Sequence, residues 1–307
     1  MTARRSRVWA ALITIYVVWG STYLAIRISL RTVPPFLLGA SRFAVAGVIV
    51  GAIGLALTRR AGERVAWRET WRGAVLPGFL FFARGNGSIA WAQLRLDSGV
   101  TSLVVCALPL WLALFDRLLY GRRLTRVTGF GIVLGFAGAA LLAGPVGGDR
   151  VDLLGVLGVS AGSVCWAIGS LRSRQAAVVA GTSPLLASGV QMIWGALFLC
   201  VLAAADSEPW QAGAPSWDAV GGIAYLVVVG TLVGFLLYIW LLRSAPTPLV
   251  STYAFANPVV AVLLGGLVAH EPLGLRTLAA GGLMLTAVAL IVLAQAREAR
   301  AAATLAT

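Results

Sequence analysis

The sequence predicts an all-α membrane protein: ten transmembrane helices in two inverted five-helix repeats. Three observations carry that expectation. Of 307 residues, 59% are hydrophobic and 11% charged, too little polar material to cover a soluble globule. Ten apolar runs of roughly 17 to 25 residues follow one another, each long enough to cross a bilayer as a helix. Finally, Thr247 to Pro272, TPLVSTYAFANPVVAVLLGGLVAHEP, is a diverged copy of Ser98 to Arg123, SGVTSLVVCALPLWLALFDRLLYGRR. At an offset of 149, Ser251 falls on Ser102, Ala256 on Ala107, Pro258 on Pro109 and Leu263 on Leu114.

The runs lie at about 8–28, 36–57, 73–94, 99–120, 127–144, 153–172, 184–205, 218–242, 247–269 and 276–295. The first, behind Arg4, Arg5 and Arg7, has the outline of a secretory signal. It lacks a small-x-small cleavage site and reads as a retained helix, with the twin arginine as a topology anchor. Pro34 and Pro35, Ser183 and Pro184, and Pro246 and Pro248 stand before the second, seventh and ninth runs, where proline suits a helix start. No joint is long enough to hold another domain.

All 24 basic residues are arginine, and the net charge is +13. In a soluble protein that would suggest nucleic acid. Here the arginines are strung along alternate loops. One side holds Arg4, Arg5, Arg7, Arg59, Arg60, Arg64, Arg68, Arg72, Arg117, Arg122, Arg123, Arg126, Arg172, Arg174, Arg243, Arg297 and Arg300; the other has Arg27, Arg31, Arg95, Arg150 and Arg276. The positive-inside rule puts both termini in the cytoplasm of a bacterial inner membrane. A nucleic-acid partner is thereby set aside, and the lipid bilayer is the expected surrounding.

The repeat extends beyond its clearest stretch. Trp166 matches Trp19 at an offset of 147, and Pro184 matches Pro35 and Trp240 matches Trp91 at 149, so residues 1–147 and 148–307 read as two five-helix units. Five is odd, so the second unit enters the membrane upside down relative to the first. Inverted repeats of this kind are a signature of secondary transporters. Gly47/Gly51, Gly131/Gly135, Gly158/Gly162 and Gly230/Gly234 are small-xxx-small pairs that allow close helix approach.

The motifs VWGSTYLAIRISL (18–30), VPPFLLGASRF (33–43), GNGSIAWAQ (85–93), SGVTSLVVCALPLW (98–111), CWAIGSL (165–171) and YAFANPVVAVLLGGLVAHEPL (253–273) together resemble the EamA-type branch of the drug/metabolite transporter superfamily. The resemblance runs from about residue 8 to residue 295. It implies ten helices, cytoplasmic termini, two homologous units and a central cavity. It also implies export of amino acids and other metabolites, with relatives carrying sugars, nucleotide-sugars and cationic drugs. One departure is visible. Many members carry Glu after the fourth helix as well as after the ninth, whereas here Glu271 is matched by Arg122.

Polar and aromatic residues at membrane depth are the candidates for a substrate path. Arg84, beside Gly85, Asn86 and Gly87, sits near the middle of the third run, where snorkelling is hard. Arg42 lies one or two turns into the second run and either snorkels or faces the cavity. Trp19, Tyr23 and Trp91 in the first unit, and Trp166, Tyr238, Trp240 and Tyr253 in the second, divide between interfacial belt and cavity wall. Ser21, Thr22, Ser102, Ser251, Thr252 and Asn257 offer neutral hydrogen bonds. The substrate-binding set expected from this reading is Trp19, Ser21, Thr22, Arg84, Asn86, Trp91, Trp166, Tyr238, Tyr253 and Asn257. Pro109 and Pro258 are the expected hinges.

What is missing narrows the function. No Asp or Glu lies mid-run: Asp116, Asp97 and Glu271 are near run ends, and the lone histidine is His270. A proton pump needs an ionisable relay in the bilayer, so uniport or exchange is favoured. Cys106, Cys165 and Cys200 lack metal or disulfide spacing and read as packing residues. With no P-loop and no nucleophile with its base, neither an enzyme nor a cofactor is expected. The expectation is an alternating-access exporter of a small amphipathic metabolite such as an amino acid. Sugar or nucleotide-sugar uptake is the alternative within transport; outside it, the alternative is a membrane receptor or scaffold. The oligomeric state is left open.

Overall fold

A computed structural model describes residues 2–121, 125–143, 152–180, 183–206, 214–245, 247–250, 252–271 and 274–305. The elements are α1 (Thr2–Ser29), α2 (Pro35–Arg60), α3 (Trp67–Pro77), a π-helical segment π1 (Gly78–Asn86) and α4 (Gly87–Ala92). There follow α5 (Ser98–Cys106), α6 (Leu108–Tyr120), α7 (Arg126–Ala143), α8 (Leu153–Ala180) and α9 (Pro184–Ala205). The chain continues with α10 (Trp217–Tyr225), π2 (Leu226–Val233), α11 (Gly234–Ser244), α12 (Thr247–Val250), α13 (Tyr253–Val268) and α14 (Leu275–Leu305). Among the described residues there is no strand, as expected where backbone polar groups must be satisfied within each segment.

Among the described residues, five segments are long and apolar enough to cross a membrane: Ser6–Ser29, Pro35–Arg60, Pro184–Ala205, Trp217–Tyr238 and Leu275–Ala294. Shorter apolar helices cover Ser98–Leu112, Arg126–Leu141, Leu153–Gly169 and Ala256–Val268. Many large apolar side chains point outward, among them Val48, Phe130, Val133, Val201, Leu267 and Leu275. That pattern suits lipid and not water.

Helix starts follow the sequence signals. Pro34 and Ser183 are extended, at ψ 149° and 129°, and Pro35 and Pro184 open the helices that follow. The Oγ of Ser216 caps α10 by accepting the Ala219 N–H at 3.2 Å, and Asp152 caps α8 by accepting the Leu154 N–H at 2.8 Å.

The chain divides into two compact units, each drawing on both sequence halves. The first comprises residues 1–24, 96–156 and 233–307. One part of its core joins Leu12 and Ile15 of α1 to Leu241 and Val250. Elsewhere α7 lies close against α14: a Cβ on Gly131 would sit 3.1 Å from the Ala287 carbonyl oxygen, and one on Gly138 would sit 3.1 Å from that of Ala280. The second comprises residues 25–95 and 157–232. There α2 lies on α9, with the site of a Gly47 Cβ 3.0 Å from the Gly189 oxygen and that of a Gly54 Cβ 2.7 Å from the Leu186 Cα. Glycine admits this backbone approach where any side chain would hold the helices apart.

Candidate functional site

Two interruptions were not anticipated. The third and eighth apolar runs, expected as plain helices, each carry a π-helical segment near the middle. At the repeat offset of 149, Gly78–Asn86 maps onto 227–235, overlapping Leu226–Val233. In each segment a side chain donates back to the carbonyl five residues earlier: Asn86 Nδ2 to Phe81 O at 3.0 Å, and Thr231 Oγ1 to Leu226 O at 2.9 Å. Such segments recur at functional sites because they widen the helix and re-aim its side chains.

In the second unit, Arg84 lies on π1 and its side chain is exposed. Asn86 is engaged with Phe81 as described. Trp166 meets the Phe81 ring edge to face at 5.1 Å, and its Cβ stands 3.2 Å from where a Gly85 Cβ would be. Trp91 lies on Gly158, where an added Cβ would come within 2.6 Å of the indole ring. The Arg95 guanidinium stands 5.0 Å from the Trp91 ring centroid. The expected residues Arg84, Asn86, Trp91 and Trp166 therefore share one neighbourhood of α8, π1 and α4. Arg42 has a protein partner: its Nε donates to Thr231 Oγ1 at 3.1 Å, and the guanidinium stands 5.0 Å from the Phe43 ring.

In the first unit, Trp19, Tyr238 and Tyr253 form one aromatic cluster. Ring centroids are 5.4 Å apart for Trp19 and Tyr238, 4.9 Å for Trp19 and Tyr253, and 5.9 Å for Tyr238 and Tyr253. Two of these contacts are edge to face, the geometry that ring quadrupoles favour. Gly234 seats the Trp19 indole nitrogen, where a side chain would overlap it. Tyr16 and Thr252 share a hydroxyl hydrogen bond. Ser21 and Thr22 donate to the Val18 and Trp19 carbonyls of their own helix at 2.9 and 2.6 Å. Asn257 is on α13, whose backbone approaches Gly20: a Cβ there would lie 2.9 Å from the Asn257 carbonyl oxygen. The Oδ1 of Asn257 is buried and has no hydrogen-bond partner among the described residues.

The two prolines differ in setting. Pro109 begins α6, directly after the break at Ala107. Pro258 lies inside α13, and the turn in that run falls earlier, at Thr252. Having no N–H, Pro258 leaves the Ala254 carbonyl without its helical donor. The Cys106 thiol donates to that oxygen at 3.4 Å. Ser251 and Arg122 lie outside the described residues.

Three residues have contacts that the sequence did not foretell. Glu271 accepts the Ser98 N–H at 2.8 Å, the Ser98 hydroxyl at 2.9 Å and the Gly99 N–H at 3.1 Å. Gln93 is fully buried, and neither its Oε1 nor its Nε2 has a partner among the described residues. Thr231 is the partner of Arg42. Two of them carried a signal beforehand, Glu271 as the glutamate that the family resemblance places after the ninth helix and Gln93 as a carboxamide within an apolar run.

Long apolar helices, outward-facing aliphatic side chains and interrupted spans define a helical membrane protein. The chain belongs to the EamA-like transporter family, whose pattern matches residues 7–144 and again residues 153–293, and is thus a transporter of the drug/metabolite superfamily. Over 288 residues it is 31% identical to the uncharacterized inner membrane transporter YedA of Escherichia coli K12, covering 93% of this chain and 90% of that protein. It is 24% identical to an uncharacterized transporter of Archaeoglobus fulgidus, covering 92% and 98% of the two chains. A crystal structure of 22% sequence identity matches with a TM-score of 0.61 over 95% of this chain and 98% of that one, a likeness of fold alone. Family membership sets the receptor or scaffold alternative aside.

Proposed function

We propose that this protein is an inner-membrane secondary transporter that exports small amphipathic metabolites, such as amino acids, by alternating access. The proposed arrangement has ten spans in two inverted repeats, residues 1–147 and 148–307, with both termini cytoplasmic. The observation that carries it is the pair of π-helical segments at equivalent places in the two halves, Gly78–Asn86 and Leu226–Val233. The family pattern, which matches the chain twice, supports the same division. The inner-membrane placement is supported by the E. coli relative's name and by the loop arginines.

The proposed substrate contacts divide by chemistry. Trp19, Tyr238 and Tyr253 present apolar and quadrupolar surface to the hydrophobic part of the solute. Asn257 Oδ1, buried and without a partner among the described residues, accepts a hydrogen bond from an ammonium or hydroxyl donor. Ser21 and Thr22, already bonded to their own helix, contribute shape. A second reading, uptake of a sugar or nucleotide-sugar, is favoured by the exposed Arg84 on π1, whose guanidinium would hold an anionic group.

The deciding experiment is counterflow by the purified protein in liposomes against amino acids, sugars, nucleotide-sugars and cationic drugs. Export of an amphipathic metabolite predicts flux for that class, reduced about tenfold or more by Asn257→Val and little changed by Arg84→Gln. Flux confined to anionic sugars and abolished by Arg84→Gln would transfer the assignment to the second reading.

A further inference from the structure

The end of α13 folds back on itself. The N–H groups of Ala269 and Glu271 both donate to the Gly265 carbonyl, at 3.1 and 3.0 Å, and His270 between them takes a left-handed φ of +54°. This reversal aims Glu271 at the start of α5. A helix start leaves N–H groups without partners, usually met by the capping residue itself. Here Asp97 occupies the cap position and makes no side-chain cap bond; the carboxylate of Glu271, 173 residues on, accepts the Ser98 and Gly99 amides instead. Two glycines make room. A Cβ on Gly265 would overlap the carboxylate, and one on Gly99 would lie 3.6 Å from Oε2 and 3.2 Å from the Val262 Cα.

The far ends of the same two helices are also tied, through the Cys106 thiol and the Ala254 carbonyl that Pro258 leaves without a donor. Thus α5 and α13 are bound to each other at both ends, while each meets the rest of its own run at a turn residue, Ala107 for α5 and Thr252 for α13. The sequence supplies the complement. The position matching Glu271 in the first half is Arg122, and a guanidinium has only donors to offer, so it cannot cap a helix start. The first half thus carries no carboxylate at the position that matches Glu271.

We propose that Glu271 is a positioning residue that makes α5 and α13 a single moving element, hinged at Ala107 and Thr252, and that this clasp on one membrane face sets the turnover of the transport cycle. The proposal rests on the alternating-access reading, and its test separates the two. In a full-length chain with Cys106 replaced by serine, which keeps a donor for the Ala254 carbonyl, and with Cys165 and Cys200 replaced by alanine, Ser102→Cys places a thiol where the side chain is 1% exposed. Labelling by a membrane-impermeant thiol reagent is slow with the clasp intact. Glu271→Gln, which trades an acceptor oxygen for a donor, raises the labelling rate about tenfold or more. It also lowers kcat with KM unchanged, since Glu271 is not placed against the solute.

Gly265→Ala, which keeps the charge and displaces the carboxylate, reproduces both effects; Glu271→Asp, too short to span both amides, falls between. If Glu271→Gln lowers only the thermal midpoint, leaving labelling and turnover per folded molecule unchanged, the clasp is a static cap and the proposal is overturned. Absence of flux for every solute with the unsubstituted protein overturns the transport reading, and the labelling result then decides the coupling of α5 to α13 alone.

Discussion

The Nε of Arg42 donates to the Oγ1 of Thr231 at 3.1 Å, and that hydroxyl donates in turn to the Leu226 carbonyl at 2.9 Å across the π segment. One threonine thus links a buried carbonyl of the π segment to an arginine that enters from α2. Thr231→Val keeps the shape and removes both bonds, and is expected to destabilise the protein by about 1–3 kcal/mol. Thr231→Ser retains most of that stability. Thermal unfolding in detergent compares them; equal midpoints for the valine and serine variants would show that the hydroxyl chain is idle.

Gln93 poses the opposite case. Its carboxamide is fully buried, and neither polar atom is partnered among the described residues, while its backbone carbonyl accepts from Arg27. Gln93→Leu leaves the carbonyl in place and removes two unmet polar atoms, and should stabilise the fold by about 1–3 kcal/mol. A lower midpoint for the leucine variant would reveal a water or solute held by the amide.

Glycine substitutions separate seats from spacers. At Gly54 a Cβ would lie 2.7 Å from the Leu186 Cα, a backbone atom that cannot yield, whereas at Gly282 on α14 nothing stands within 4 Å. Gly54→Ala is expected to cost about 1–3 kcal/mol and Gly282→Ala to gain about 0.5–1 kcal/mol from reduced backbone freedom in the unfolded chain. Comparable effects at both sites would contradict the close packing of α2 on α9.

Trp19 is the hub of its cluster, contacting Tyr238 and Tyr253 at 5.4 and 4.9 Å. Trp19→Ala should cost about 3–5 kcal/mol, and Trp19→Phe should recover most of it while altering which solutes are carried. An unchanged counterflow profile for the phenylalanine variant would remove Trp19 from the substrate path and leave it a packing residue.

Much of the helical framework was legible beforehand, and for a local reason. Helix positions follow from uninterrupted apolar runs, and starts such as Pro35 and Pro184 from the backbone limits of proline. The candidate aromatics were legible as types; that Trp19, Tyr238 and Tyr253 converge while Trp91 rests on Gly158 was not. Pro109 does stand at a break, but the turn in the ninth run lies upstream of Pro258, because a proline frees one carbonyl without dictating where a helix gives way.

By itself, the sequence determined the membrane class, the order of helices and the family, since each depends on hydropathy, spacing and motif read along the chain. Tertiary structure alone decided the partners. Arg42 meets Thr231 across 189 residues, and Glu271 caps Ser98 across 173. Such pairings are set by which helices pack together and at what register, and a buried donor or acceptor takes whatever complement that packing brings within reach.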